Sequence, residues 1–222
     1  MTNWNKTLDS GVLYKDFGRY VTPFELPKKS FEWLKKECFN QKGKIPMNEN
    51  LIGHIREEYR MPNVDYEFQK FIIDASFSGA TNIFMSKYSF MTENRPVVFE
   101  NLWCNFQKKH EFNPPHTHSG LLSFVVFVQI PYDLEEEIKV YPDVKIDEDT
   151  QIATSKFCFL NPDGVGISND VIDVDKSFEG KGFIFPATQH HEVYPFYTSD
   201  DYRITVSGNL RYKVWVGSLT IY

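Results

Sequence analysis

"NPPHTHSGLLSFVVFVQIP", residues 113–131, sets His116 and His118 one residue apart at the mouth of an apolar run. From Leu121 to Ile130 that run is apolar at nearly every position and rich in Val and Phe. Such a pattern marks a strand buried on both faces. Residues two apart in extended chain point to the same side, so the two imidazoles can aim at one point. Pro114 and Pro115 restrict the backbone ahead of them, and the buried strand behind them is a rigid anchor. The chain has only six histidines, and two of them stand here.

A second pair lies in "GKGFIFPATQHHEVYP", residues 180–195: a strand, a proline-containing turn, then His190 and His191 at the start of another strand. Neighbours on a strand face opposite ways, so only one of the two can join a common site. His-x-His with a late histidine on a second strand is the donor pattern of a three-imidazole metal site. The alternative is that His116 and His118 are partly exposed loop residues bonding the backbone. Farther on, "YRITVSGNL" alternates Arg203, Thr205, Ser207 and Asn209 with Ile204, Val206 and Gly208. One face of this strand is polar throughout. It is either an ordinary outward face or the lining of a cavity, where a guanidinium fork and a hydroxyl would clamp a carboxylate. Arg203 lies only 12 residues after His191, so one tight turn is predicted to bring the two strands side by side.

Working outward, the chain from Pro96 onward is strands and turns. "VVFENLWCNF", "LLSFVVFVQI", "IATSKFCFL", "KGFIFP", "YRITVSGNL" and "KVWVGSLTIY" are short runs rich in Val, Ile, Phe, Tyr and Thr. Turn chemistry such as "NPDGVG" and "TSDD" punctuates them. The class is mainly β, an antiparallel sandwich or barrel. The acidic stretch from Asp133 to Asp149 is expected to be a solvated excursion, with a lid over the cavity as the alternative. The last strand fits either a buried edge or a homodimer contact.

The first 95 residues are of mixed character. "LPKKSFEWLKKECF" places Phe31, Leu34, Cys38 and Phe39 at helical spacing. "DYEFQKFIIDASFSGATNIFMSKY" predicts one longer helix, and the polar stretch between the two, with His54, predicts loop and turns. These helices would buttress one face of the sheet, giving a single domain over 1–222, with 1–95 as buttress and 96–222 as core.

Composition narrows the function. A net charge of -6 and a pI near 5.5 leave no basic footprint for nucleic acid. Three widely spaced cysteines, Cys38, Cys104 and Cys158, argue against a disulfide framework and for a reducing cytoplasm. The start shows no signal-peptide pattern, and no apolar run reaches the ~20 residues of a membrane span.

The motifs taken together resemble the iron(II)- and 2-oxoglutarate-dependent oxygenases, whose fold is a double-stranded β-helix, or jelly roll. "HTHSGLL" stands where that superfamily has His-x-Asp/Glu, "FPATQHHEVYPF" where it has the distal histidine, and "RITVSGN" where it has Arg-x-Ser. A narrower group of bacterial and phage 2OG-Fe(II) oxygenases is also similar in Trp103-Cys104-Asn105, Pro115 to Ser123, Phe185 to Val193 and Arg203 to Asn209. The resemblance spans roughly 97 to 212. It implies His116, His118 and His191 as metal ligands, His118 replacing the usual carboxylate, with no catalytic residue beyond them. It implies that Arg203 and Thr205 bind the far carboxylate of 2-oxoglutarate, with Asn105 and Asn209 as further cosubstrate-binding or supporting groups. The implied cofactors are Fe(II) and 2-oxoglutarate, the partners 2-oxoglutarate and O2, and the reaction a C–H hydroxylation yielding succinate and CO2. A cupin-type three-histidine dioxygenase would need no 2-oxoglutarate, but the glutamate that follows His-x-His in cupins is missing. A non-catalytic jelly-roll binding module is the remaining rival.

Overall fold

In a computed structural model, residues 20–88, 96–140, 153–162 and 166–213 are described. Two antiparallel sheets face each other. The large sheet has the order β1-β8-β5-β10-β3-β2 and the small one β4-β9-β6-β7. The large sheet is built from β1 (Thr22–Glu25), β2 (Glu58–Arg60), β3 (Val97–Gln107), β5 (Leu122–Gln129), β8 (Lys181–Pro186) and β10 (Arg203–Tyr212). The small sheet contains β4 (Asn113–His116), β6 (Phe157–Pro162), β7 (Ile167–Ile172) and β9 (His190–Val193). This is the mainly β jelly-roll architecture expected from the motifs. The C-terminal run "KVWVGSLTIY" lies, beyond Lys213, outside the described residues.

Alternation along the strands divides the large sheet into two unlike faces. Leu102, Cys104, Phe106, Phe124, Val126, Ile204 and Val206 point one way, into a core shared with Leu34, Cys38, Phe68, Ile72 and Met85 of the helices. Val125, Phe127, Phe183 and Phe185 point the other way and meet Phe157, Phe159 and Phe196 between the sheets. β5 serves both cores and is buried along seven of its eight residues, as its unbroken apolar run requires. β10 lies between β5 and β3 at the centre of the sheet. Gly208 is needed there because a Cβ would sit 2.7 Å from the Phe124 ring.

The first part departs from the sequence reading in three ways. The predicted long helix is two, α2 (Tyr66–Ser76) and α3 (Gly79–Tyr88). The hydroxyls of Ser76 and Ser78 donate to the carbonyls of Ile73 and Ala75, and Gly79 takes a φ of 54°. Those local bonds and the left-handed glycine turn the chain where apolar periodicity alone runs on. α1 (Lys28–Gln41) forms where expected and buries Leu34 and Cys38, but Phe39 is 49% exposed and stays outside the main core. The stretch read as loop contains β2, which pairs with β3, while β1 pairs with β8. The N-terminal region therefore supplies both edge strands of the large sheet as well as the helices on its face. Edge strands this short carry too little periodicity to be seen in sequence.

The acidic excursion is also corrected at its start. Residues Leu134–Val140 form a short helix, α4, and Glu137 on it is fully buried. Its carboxylate accepts from the backbone N–H groups of Tyr197 and Thr198 and from the Thr198 hydroxyl. A buried carboxylate persists when donors satisfy it, so this glutamate is an anchor and not part of a solvated face. Residues 141–152 lie outside the described residues.

Candidate metal and cosubstrate site

His116 closes β4 and stands directly opposite His191 of β9. His118 lies just past the strand end, where its backbone N–H donates to the carbonyl of Ala187 in the turn before β9. The three imidazoles meet: one ring nitrogen from each lies within 4.8 Å of the others, and Nε2 of His118 is 3.2 Å from Nε2 of His191. Two nitrogens held ~2.1 Å from one ion at a right angle stand about 3 Å apart, so this spacing suits a pair of adjacent ligands. Strand alternation separates the neighbouring pair: His191 is buried and His190 exposed.

The backbone decides which ring nitrogens are free. Nδ1 of His116 lies 2.8 Å from the carbonyl of Pro114, and Nδ1 of His191 lies 3.0 Å from that of Gln189. A carbonyl can only accept, so each Nδ1 carries the proton and each Nε2 keeps its lone pair. Charge is suppressed as well. Burial pushes His116 below the ordinary imidazole range, against the opposing pull of its bond to Pro114. Burial, then the nearness of His116, pushes His118 down to about 4. Burial, followed by His116 and His118, holds His191 well below its usual range. Neutral imidazoles with inward lone pairs are the state a metal ion needs.

These rings open onto a cavity of about 290 Å³ between the sheets. The polar face of β10 is its wall, since Arg203, Thr205, Ser207 and Asn209 all line it. β10 lies in the large sheet and His191 in the small one, so the two strands are not side by side as the short connection suggested. Arg203 faces the imidazoles from across the sandwich. Hydrophobic burial of the two sheets against each other overrides the tight turn expected from eleven intervening residues.

Arg203 is 1% exposed, and no carboxylate pairs with it among the described residues. Nε donates to Oε1 of Gln107 at 2.9 Å, Nη1 to the Tyr132 hydroxyl at 3.1 Å and the Ser155 carbonyl at 2.9 Å, and Nη2 to the Tyr194 carbonyl at 2.7 Å. A guanidinium has five N–H groups, so these four bonds fix its plane and leave one Nη2 hydrogen free. Beside it, the Thr205 hydroxyl accepts from Nδ2 of Asn105 at 2.9 Å, which leaves its own hydrogen to donate. Asn209 differs: its side-chain carbonyl already accepts from the Ser123 hydroxyl at 2.7 Å. A buried cation without a counter-ion, facing three neutral metal donors, fits a metal and a dianionic cosubstrate in one chamber.

The sequence reading missed the rest of the wall. Met47, Leu51, Ile52, Ile55 and Glu58 line the same cavity from the stretch taken for a polar loop. Their apolar members are scattered among polar residues without a period, so nothing local marks them. His54, in the same stretch, is stacked on Phe112 with ring centroids 4.5 Å apart and takes no part in the site.

Comparison with known proteins adds a family match and a shared fold. Residues 101–209 match a family model described as "Putative 2OG-Fe(II) oxygenase". No curated protein matches the chain. Among solved structures, a Pseudomonas putida prolyl-4-hydroxylase has a TM-score of 0.53 at 11% identity, over 88% of this chain and 94% of its own. A viral collagen prolyl hydroxylase from Paramecium bursaria chlorella virus-1, solved with 2OG, has a TM-score of 0.52 at 12% identity, over 89% of this chain and 98% of its own. An oxidoreductase of the 2OG-Fe(II) oxygenase family from Burkholderia pseudomallei has a TM-score of 0.50 at 10% identity, over 86% and 84%. At such identities the structures show a shared fold. Residues 101–209 are thus similar to the 2OG-Fe(II) oxygenase family. Its cofactors are Fe(II) and 2-oxoglutarate, and O2 is its second cosubstrate. Among the described residues, no helix is long and apolar enough to cross a membrane.

Proposed function

We propose that the chain is a hydroxylase in which His116, His118 and His191 hold Fe(II), while Arg203 and Thr205 receive the far carboxylate of 2-oxoglutarate. The observation that carries this reading is the meeting of three neutral imidazoles and an unpaired buried guanidinium on one cavity. When bound, the metal and 2-oxoglutarate supply the oxidation of a C–H bond by O2, with succinate and CO2 as coproducts.

The protein contributes position and environment. The carbonyls of Pro114 and Gln189 hold two ligand rings in one tautomer and one orientation. Arg203 is held by four protein acceptors and does not close as a two-pronged clamp. It presents one free N–H and its charge, and the Thr205 hydroxyl completes the anion site. Asn105 sets the direction of the Thr205 hydroxyl, whereas Asn209 braces β10 against β5 through Ser123. His118 in place of a carboxylate leaves the metal site one positive charge higher, which favours an anionic cosubstrate. One domain runs through the edge strands, the helices and the jelly roll.

Succinate release from 2-oxoglutarate tests this reading. It is expected to need Fe(II) and O2 and to fall to background in His116→Ala and His191→Ala. Undiminished release in those variants would show that the three imidazoles are not the metal site.

A further inference from the structure

Glu58 is the single acidic side chain among the described residues that line the cavity, and it is 3% exposed. No described cation pairs with it. Lys42 pairs instead with Glu57 at 3.3 Å and Arg56 with Glu111 at 3.8 Å, and Arg60, on the same strand, is exposed and forms no ion pair with Glu58. One long hydrogen bond reaches its carboxylate, from Nδ2 of Asn48 at 3.4 Å. A carboxylate taken out of water and left so poorly partnered is costly, and proteins keep such groups where a ligand completes them.

The neighbouring groups show the same deficit. Glu58 stands opposite Asn105 across the β2–β3 ladder, and Asn105 stands opposite Thr205 across β3–β10. Directly paired residues project from the same face about 5 Å apart, so the three side chains form one row on the cavity wall. Asn105 uses Nδ2 on Thr205, while its Oδ1 is buried without a partner. Oδ1 of Asn113, on the same cavity, is also buried without a partner. Near Glu58, two buried amide oxygens of the cavity wall therefore stand without a donor. Around them stand Met47, Leu51, Ile52 and Ile55, with Ile52 58% exposed at the rim. An aliphatic arm would cover these side chains as it brings N–H groups to the acceptors.

We infer that the β2 side of the cavity binds a protonated amine or guanidinium carried on an aliphatic arm of the substrate, with Glu58 as its counter-ion. This rests on the oxygenase reading of the same chamber. Arg203 takes the anion of the cosubstrate on one part of the wall, and Glu58 takes the cation of the substrate on another. Free lysine or arginine and the same side chains within a peptide share this chemistry.

The test is calorimetry on protein loaded anaerobically with Fe(II) and 2-oxoglutarate. The probes are free lysine and arginine and the blocked tripeptides acetyl-Gly-Lys-Gly-amide and acetyl-Gly-Arg-Gly-amide. Norleucine and citrulline, free and in the same tripeptides, are their neutral matches. At least one cationic probe is expected to bind about tenfold or more tighter than its neutral match, the scale of a charge-assisted hydrogen bond. Glu58→Gln should bring that ratio near one, and Glu58→Asp should restore part of it. Whether free amino acid or tripeptide binds then identifies the source of the cation. A ratio near one in the unaltered protein, no binding of any probe, or a ratio unchanged in Glu58→Gln would overturn the inference. The keto-acid charge-transfer band of the unaltered protein is recorded in the same samples. Its absence would sink the oxygenase reading, whereas its presence with a flat ratio would sink the Glu58 assignment alone.

Discussion

His118, which the resemblance sets in place of a carboxylate ligand, brings its imidazole to 3.2 Å from that of His191. His118→Asp should keep metal binding and lower the affinity for 2-oxoglutarate, because it removes one positive charge from the chamber. Parallel titrations of variant and unaltered protein check both halves of that expectation. Glu58 gives a second test at this scale. Burial, with Glu111 nearby, pushes its carboxyl up to about 7. The folded protein therefore holds a proton that the unfolded chain has already lost above its ordinary carboxylate range. The resulting stability is full below about pH 4.5 and is lost as pH rises through about 7. Glu58→Gln carries no such penalty, so it should gain on the unaltered protein by up to about 3 kcal/mol between pH 4.5 and 8. Urea unfolding of the metal-free proteins at the two pH values measures this, and a constant difference would contradict it.

At the scale of elements, α4 and β10 share one support. Glu137 ties α4 to Tyr197 and Thr198, and Tyr132, just ahead of α4, contacts Arg203 through its hydroxyl. Glu137→Gln removes the charge that four hydrogen bonds converge on and should cost about 2 kcal/mol in unfolding free energy. It should also weaken 2-oxoglutarate binding severalfold while leaving Fe(II) affinity unchanged. Calorimetry of each ligand separates the two effects. The elements differ in how far their sequences betray them. β5 and β8 are legible because an apolar run bounded by Pro or Gly has one reading, and α1 because Leu34 and Cys38 fall four apart. The break between α2 and α3 is not, since it depends on two serine hydroxyls and one glycine conformation. β2 is three residues long and is a strand only because β3 lies beside it.

At the scale of the whole molecule, the cavity exists because the large sheet is apolar toward the helices, while toward the small sheet the polar face of β10 interrupts the apolar core that β5 and β8 share with it. The polar face of β10 was readable in "YRITVSGNL", but its two meanings, outer face or cavity wall, part only when the small sheet and the helices take their sides. The histidines were legible because six in the chain make a repeated pairing conspicuous. Glu58 and its apolar neighbours were not, because tertiary contact alone brings residues 47–58 to a site built 45 residues or more downstream. Ligands that bind only the folded state stabilise it. Fe(II) and 2-oxoglutarate, each at about a hundred times its dissociation constant, should add ~2.7 kcal/mol apiece, about 5.4 kcal/mol together or about 10–20 °C in Tm, reversed by a chelator. The most direct measurement is an anaerobic titration of the metal-free protein with Fe(II) and then 2-oxoglutarate, followed in visible absorbance. A weak charge-transfer band is expected after the second addition, and it should be lost in His191→Ala. Tight Fe(II) binding with no band on adding 2-oxoglutarate would contradict the joint metal and cosubstrate site.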